Sequence, residues 1–167
     1  KVYHSILYID LLRHLFGEPH SVMAHSIKDP RSPKLESSRS TIIFDYGDWK
    51  RATVHTYHGH NSGQRHQESY YRIEGPQGAI KVQMGLNMNY PDGAEDYLEY
   101  HRDGMKDWVR IPLEGSWFPD AFVGPMAAMM IWQEGGEAPS TEVHDAFKTM
   151  QWVDAAYRAS DARGITL

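Results

Sequence analysis

Hydrophobic side chains recur along this chain with two different periods, and the order in which the period changes restricts the folds open to it. In the opening stretch KVYHSILYIDLLRHLFGEP, Ile6, Ile9, Leu12 and Phe16, with Leu11 and Leu15 beside them, repeat at the three-and-four spacing of one helical face. Gly17 ends that helix and Pro19 prevents its resumption. From residue 20 to residue 113 the period shortens to two, and after Ser116 it returns to 3.6. Helix, then strands, then helices points to an α+β fold: an open, predominantly antiparallel sheet with helices packed on one face. No Met precedes Lys1 and no capping residue stands before the first turn, so the reading expects an upstream segment to have been removed.

The strand region divides at its turn residues. HSVMAHSI (20–27) reads as a strand, and KDPRSPKLESSRS (28–40), with two prolines and no apolar period, as a loop. TIIFDYG (41–47) and RATVHTYH (51–58) form a hairpin around GDWK, with β-branched and aromatic residues on both arms. HQESYYRIEG and GAIKVQMG pair across Gly75-Pro76-Gln77-Gly78, and AEDYLEYH pairs with DWVRIPL around Asp103-Gly104. A helix capped by Ser116 carries Phe122, Val123, Met126, Met129 and Met130 to a stop at Gly135-Gly136, with Pro125 expected to kink it. The last helix, capped by Ser140, shows Val143, Phe147, Met150, Val153 and Tyr157 on one face and ends near Gly164; a final ITL could add an edge strand.

At 167 residues and 41% hydrophobic, the chain reads as one domain, 1–167. Its net charge of -5 disfavours both nucleic acid and anionic membranes as partners. The absence of cysteine removes disulfides, thiolate nucleophiles and thiolate metal sites, and favours a cytoplasmic location. No apolar run approaches the roughly 20 residues that span a bilayer.

Candidate chemistry concentrates in HTYHGHNSGQRHQE (55–68), which holds His55, His58, His60, Asn61, Arg65 and His66. In a strand His58 and His60 share a face and His55 points away. The pair could meet a polyol, since imidazole and amide groups both donate and accept hydrogen bonds. With Glu68 or His66 as a third ligand they could instead meet a metal, in an arrangement loosely similar to the two-His, one-Glu site of cupins but without the usual cupin spacing. They could equally be polar residues at a strand end, and no metal site is assigned. His4, beside Tyr3 on the first helix, is the second candidate; Asp10 reads as a neighbour of Arg13. Trp117 and Asp120, in GSWFPDAF, cluster at a helix start. There is no Gly-rich phosphate loop and no Gly-x-Ser-x-Gly elbow.

Four blocks taken in order, HSILYIDLLRHLFGEP, HSVMA, YRIEGPQGAIKVQMG and PSTEVHDAFKTMQWVDAAYRAS, resemble the C-terminal domain of the Gfo/Idh/MocA oxidoreductases, the glucose-fructose oxidoreductase and inositol dehydrogenase family. The resemblance covers nearly the whole chain. It implies an N-terminal Rossmann domain ahead of Lys1 that binds NAD or NADP and carries the Gly-rich fingerprint and a Glu-Lys-Pro motif, neither of which occurs in these residues. It also implies that this domain supplies the substrate pocket and the oligomer interface. The Asp and His that the family places on the first helix fall, counting back from Gly17, on Tyr3 and Leu7, while His4 lies one turn earlier than the expected His. The segment from Trp117 to Asp120 corresponds to one that lines the family's substrate site.

The resemblance therefore implies the substrate-binding and oligomerisation domain of an NAD(P)-dependent enzyme acting on a sugar, polyol or related hydroxy compound. This chain is expected to hold no cofactor and to be catalytically silent alone. His4 is the catalytic candidate; Tyr3, His58, His60, Asn61, Arg65, His66, Trp117 and Asp120 are the substrate-binding candidates. Two rivals remain: an assembly module that forms homodimers or larger oligomers through its open sheet, and a metal-dependent enzyme using His58, His60 and Glu68.

Overall fold

The computed structural model describes residues 5–31, 33–35, 37–47, 49–60, 62–86 and 90–164. In chain order the elements are α1 (Ser5–Phe16), β1 (Ser21–Ile27), β2 (Arg39–Asp45), β3 (Arg51–Tyr57), β4 (Ser69–Gly75), β5 (Gly78–Met84), β6 (Tyr97–Arg102), β7 (Val109–Ile111), α2 (Trp117–Asp120), α3 (Val123–Gln133) and α4 (Val143–Asp161). They fall into two compact units, one of residues 1–61 and 140–167 and the other of residues 62–139. The α+β class and the antiparallel pairing agree with the expectation. The expected single sheet is instead two ladders, β1-β2-β3 in the first unit and β4-β5-β6-β7 in the second.

In the first unit the register sorts side chains into rows. On the inner face Val22, Phe44 and Ala52 form one row, Ala24, Ile42 and Val54 the next, and Ser26, Ser40 and Thr56 the third. Both α1 and α4 pack on this face, α4 over β1 and α1 over β3. The apolar rows join Ile9, Val153 and Ala156 in one core, with Ile42 and Phe44 each 1% exposed. The hydroxyl row is satisfied internally: Ser26 Oγ donates to Ser40 Oγ at 2.9 Å, Ser5 and Thr56 hydroxyls lie 3.0 Å apart, and Ser26 N–H donates to Ser160 Oγ at 2.9 Å. The outer face carries Met23, Ile43 and Thr53 in one row, His25, Thr41 and His55 in the next, and Ile27, Arg39 and Tyr57 in the last.

Several local expectations hold for stated reasons. Gly17 ends α1 in a left-handed conformation (φ 78°), its N–H closing onto the Arg13 carbonyl at 2.8 Å. Lys50 Nζ reaches the Phe16 carbonyl at 3.3 Å, placing a cation at that helix end. At the end of α3, Gly135 N–H bonds to Trp132 O and Gly136 N–H to Ile131 O, the paired closure of a Schellman motif.

Other expectations are corrected. β2 begins at Arg39, inside the stretch expected to be loop, because Arg39 and Ser40 pair with Tyr57 and Thr56. The helix expected from Ser116 to Gly135 is two helices, parted at Ala121 and Phe122. Pro125 then falls in the first turn of α3, where the N–H it lacks would have had no partner in the helix. The cap of α4 is Glu142 rather than Ser140, its carboxylate accepting from His144 N–H at 2.9 Å and Asp145 N–H at 3.2 Å. The buried stripe of α4 is Thr149, Val153, Ala156 and Ser160, small residues that allow close approach to β1, while Val143, Phe147 and Met150 are exposed. The ITL terminus lies outside the described residues.

Candidate functional site

In the first unit, charged side chains converge on an exposed edge where β2 begins and β3 ends. The ladder sets Arg39 directly opposite Tyr57, both on the outer face. Asp29, 5% exposed, is fixed by its N–H donating to Ser38 Oγ at 2.9 Å. Its carboxylate folds the next residues around itself. Arg31 donates to it from the backbone N–H at 2.9 Å, from Nε at 3.0 Å and from Nη2 at 2.7 Å. Both arginines then converge on one atom, with Arg31 Nη2 and Arg39 Nη2 each donating to Tyr57 Oη at 2.6 Å.

The Arg39 guanidinium lies 4.0 Å above the Tyr57 ring, and His60 meets the same ring edge-on, with centroids 6.5 Å apart. Gly59 leaves the room for this: a Cβ there would stand 2.8 Å from both Asp29 Oδ2 and Tyr57 Cε2. Hydrogen bonds from Arg31 hold the Asp29 carboxyl down to about 2, and the same bonds raise the Arg31 guanidinium.

The structure separates the candidates read from sequence. His58 and His60 belong to the first unit; Arg65, His66, Trp117 and Asp120 belong to the second. Tyr3, His4 and Asn61 lie outside the described residues. The strand alternation expected to align His58 with His60 does not reach them, since β3 ends at Tyr57. His58 is anchored by its N–H to the Ser38 carbonyl at 2.8 Å. His55 is on the outer face, its Nδ1 2.9 Å from Thr41 Oγ1. His66 sits at φ 68°, in the left-handed region. Among the described residues no group of three or more His, Asp or Glu side chains is placed to hold a metal.

In the second unit, Trp117 and Asp120 are tied into the backbone. Asp96 accepts from Trp117 N–H at 2.5 Å and, through its other oxygen, from Gly85 N–H. The Trp117 indole N–H donates to the Gly85 carbonyl at 2.6 Å, which leaves the ring faces for other contacts. Asp120 Oδ2 accepts from Ser116 N–H at 2.7 Å. Asp96 itself, the hub of this cluster, stands in an unremarkable acidic run, AEDYLEY, with nothing in its spacing to single it out. Arg39 and Tyr57 also escape a reading by motif, because register across a ladder joins them, and Asp29 and Arg31 reach them from a loop by side-chain hydrogen bonds.

The sequence pattern described as "Oxidoreductase family, C-terminal alpha/beta domain" of the Gfo/Idh/MocA group matches residues 2–167. No curated protein matches the chain significantly by sequence. Among solved structures, the chain is similar to an oxidoreductase from Agrobacterium radiobacter in complex with NAD+, L-tartaric acid and magnesium (20% identity, TM-score 0.70, 95% of this chain and 46% of that one). It is similar to the aldose-aldose oxidoreductase from Caulobacter crescentus complexed with glycerol (18%, 0.71, 97% and 45%). It is also similar to the WlbA dehydrogenase from Bordetella pertussis in complex with NADH and UDP-GlcNAcA (17%, 0.65, 98% and 44%). The chain thus spans about half the length of the structures it matches.

Proposed function

Since the chain belongs to the Gfo/Idh/MocA oxidoreductase family as its C-terminal α/β domain, we propose that it is the substrate-binding and oligomerisation part of an NAD(P)-dependent enzyme. Its substrate would be a sugar, polyol or related hydroxy compound. The observation that carries this reading is the family match along residues 2–167. The residues present do not fit a dinucleotide: no Gly-rich turn leads from a strand into a helix to cradle a pyrophosphate. The nicotinamide group, which accepts or donates hydride when bound, would be held by other residues, in a cytoplasmic protein.

What this chain contributes is recognition and assembly. Imidazoles at His58 and His60 supply donors and acceptors suited to hydroxyl groups. Met23 and Ile27, exposed on the outer face of the three-stranded ladder, suit burial against a second copy. Ligand-observed NMR of the chain with a panel of aldoses, polyols and sugar acids tests the recognition. At least one member is expected to bind saturably and to weaken about tenfold when His58 and His60 are both changed to alanine; a panel without any binder counts against the reading. Sedimentation over a range of concentrations is expected to show dimers or larger species that Met23→Lys disperses, whereas a monomer throughout counts against assembly through the sheet.

A further inference from the structure

We propose that two copies of this chain pair through their second units, α3 of each lying across the apolar face of the β4-β5-β6-β7 ladder of the other. The inference deepens the assembly part of the function proposed above and rests on its choice of a second copy as partner. It uses a surface other than Met23 and Ile27.

The second unit lacks what the first one has. The hydrophobic core lies wholly in the first unit, and among the described residues of the second only Gly85 is buried. The second ladder is nevertheless two-faced. Its register places Arg72, Lys81, Glu99 and Arg110 in one row on one face. On the opposite face Ile73, Ile80, Tyr100 and Val109 form a row, with Leu98 and Ile111 in the next. Ile80, Val109 and Ile111 are 41%, 40% and 36% exposed. Such a face is stable when another layer covers it.

The matching layer is α3. Residues 121–133 carry no charge, and no residue of α3 is buried. Val123, Met129, Ile131 and Trp132 lie on four sides of the helix and are 54–67% exposed. A helix apolar all round belongs inside a structure, yet within the second unit α3 makes no extended contact with the ladder. Its longest apolar stripe, Val123, Met126 and Met130 at i, i+3 and i+7, is the one laid on the partner's sheet.

A second copy fits because each chain carries both halves of the contact. Two-fold symmetry makes that contact twice, each chain supplying the helix for one and the sheet for the other. Two helix-on-sheet contacts bury roughly 1,200–1,600 Å² in all, the size of a stable interface. Charge agrees: Arg102 stands at the end of the apolar face and Glu134 at the end of α3, both exposed.

Sedimentation equilibrium of the chain over a range of concentrations tests the pairing. A dimer is expected, and Met130→Lys and Ile80→Glu, both at exposed positions, should each weaken it at least tenfold. An equimolar mixture of the two variants should recover it, because α3 of one then meets the ladder of the other as lysine against glutamate. Should circular dichroism show either variant unfolded, Val123→Lys or Val109→Glu takes its place. Association that Met23→Lys disperses but neither of these variants weakens, or a mixture that stays monomeric, overturns this pairing and leaves assembly standing. A monomer throughout overturns both and gives α3 and the ladder to a different partner.

Discussion

Replacing Arg13 with methionine removes a cation that ties α1 to α4. The Arg13 side chain is 6% exposed and points into a ring of oxygens. Nη2 donates to Glu18 at 2.7 Å and Asp145 at 3.0 Å, Nε to Glu18 at 3.0 Å, and Nη1 to Thr149 Oγ1 at 2.5 Å and the Asp145 carbonyl at 3.2 Å. Asp10 lies 3.5 Å from Nη1 and accepts from Thr149 Oγ1 at 2.5 Å. Methionine keeps much of the stem's packing but leaves three carboxylates facing one another. Breaking a fully buried pair costs about 3–5 kcal/mol. Here the carboxylates of Asp10, Glu18 and Asp145 are 38%, 49% and 33% exposed, so water recovers part of that.

We therefore expect a loss of about 2–4 kcal/mol, or about 1–2 M in urea midpoint for a slope near 2 kcal/mol per M. Urea unfolding followed by helical circular dichroism measures it. The same variant alters the acid response. Hydrogen bonds from Arg13 hold Glu18 and Asp145 below their ordinary values of 4.5 and 3.8. Their contribution is complete above those values and lost as pH falls through the lowered folded ones. Arg13→Met should flatten stability against pH in that acid window. A midpoint within about 0.25 M of the parent chain, with the acid slope intact, would refute the argument.

Three further outcomes follow from single contacts. Glu142→Ala removes the carboxylate that caps α4 and should cost about 1 kcal/mol in urea unfolding. Gly59→Ala sets a methyl 2.8 Å from Asp29 Oδ2 and the Tyr57 ring; it should destabilise by about 1–3 kcal/mol and hasten proteolysis in residues 28–38. Trp117→Phe leaves the Gly85 carbonyl without its indole donor, at a cost of about 1–3 kcal/mol, read as faster amide exchange at Gly85 and Trp117.

How legible the chain is depends on the kind of signal. The end of α1 is readable because only glycine takes the φ of 78° at residue 17 without steric cost. The strands of both ladders are readable because alternation and turn residues are local. The buried stripe of α4 is not: Val143, Phe147 and Met150 are as periodic as Thr149, Val153, Ala156 and Ser160. Hydrophobicity favours the first set, whereas close packing on β1 and hydroxyl bonds to Ser26 and Arg13 select the second. The Arg39–Tyr57 convergence needs the ladder register, and Asp29 stands in a stretch whose prolines mark it only as loop. The histidine run shows the opposite failure, a conspicuous pattern whose members the fold divides between two units.

The central claim is that these residues serve an oxidoreductase without holding its nucleotide. It is tested most directly by the absorbance of reduced nicotinamide, with NAD+ or NADP+ and a panel of aldoses, polyols and sugar acids. The assay is run on this chain alone and on a protein in which it follows a nicotinamide-nucleotide-binding domain. Turnover of at least one hydroxy compound is expected from the joined protein and none from the chain alone. Turnover by the chain alone, or a joined protein that binds NADH yet oxidises no member of the panel, would contradict the account.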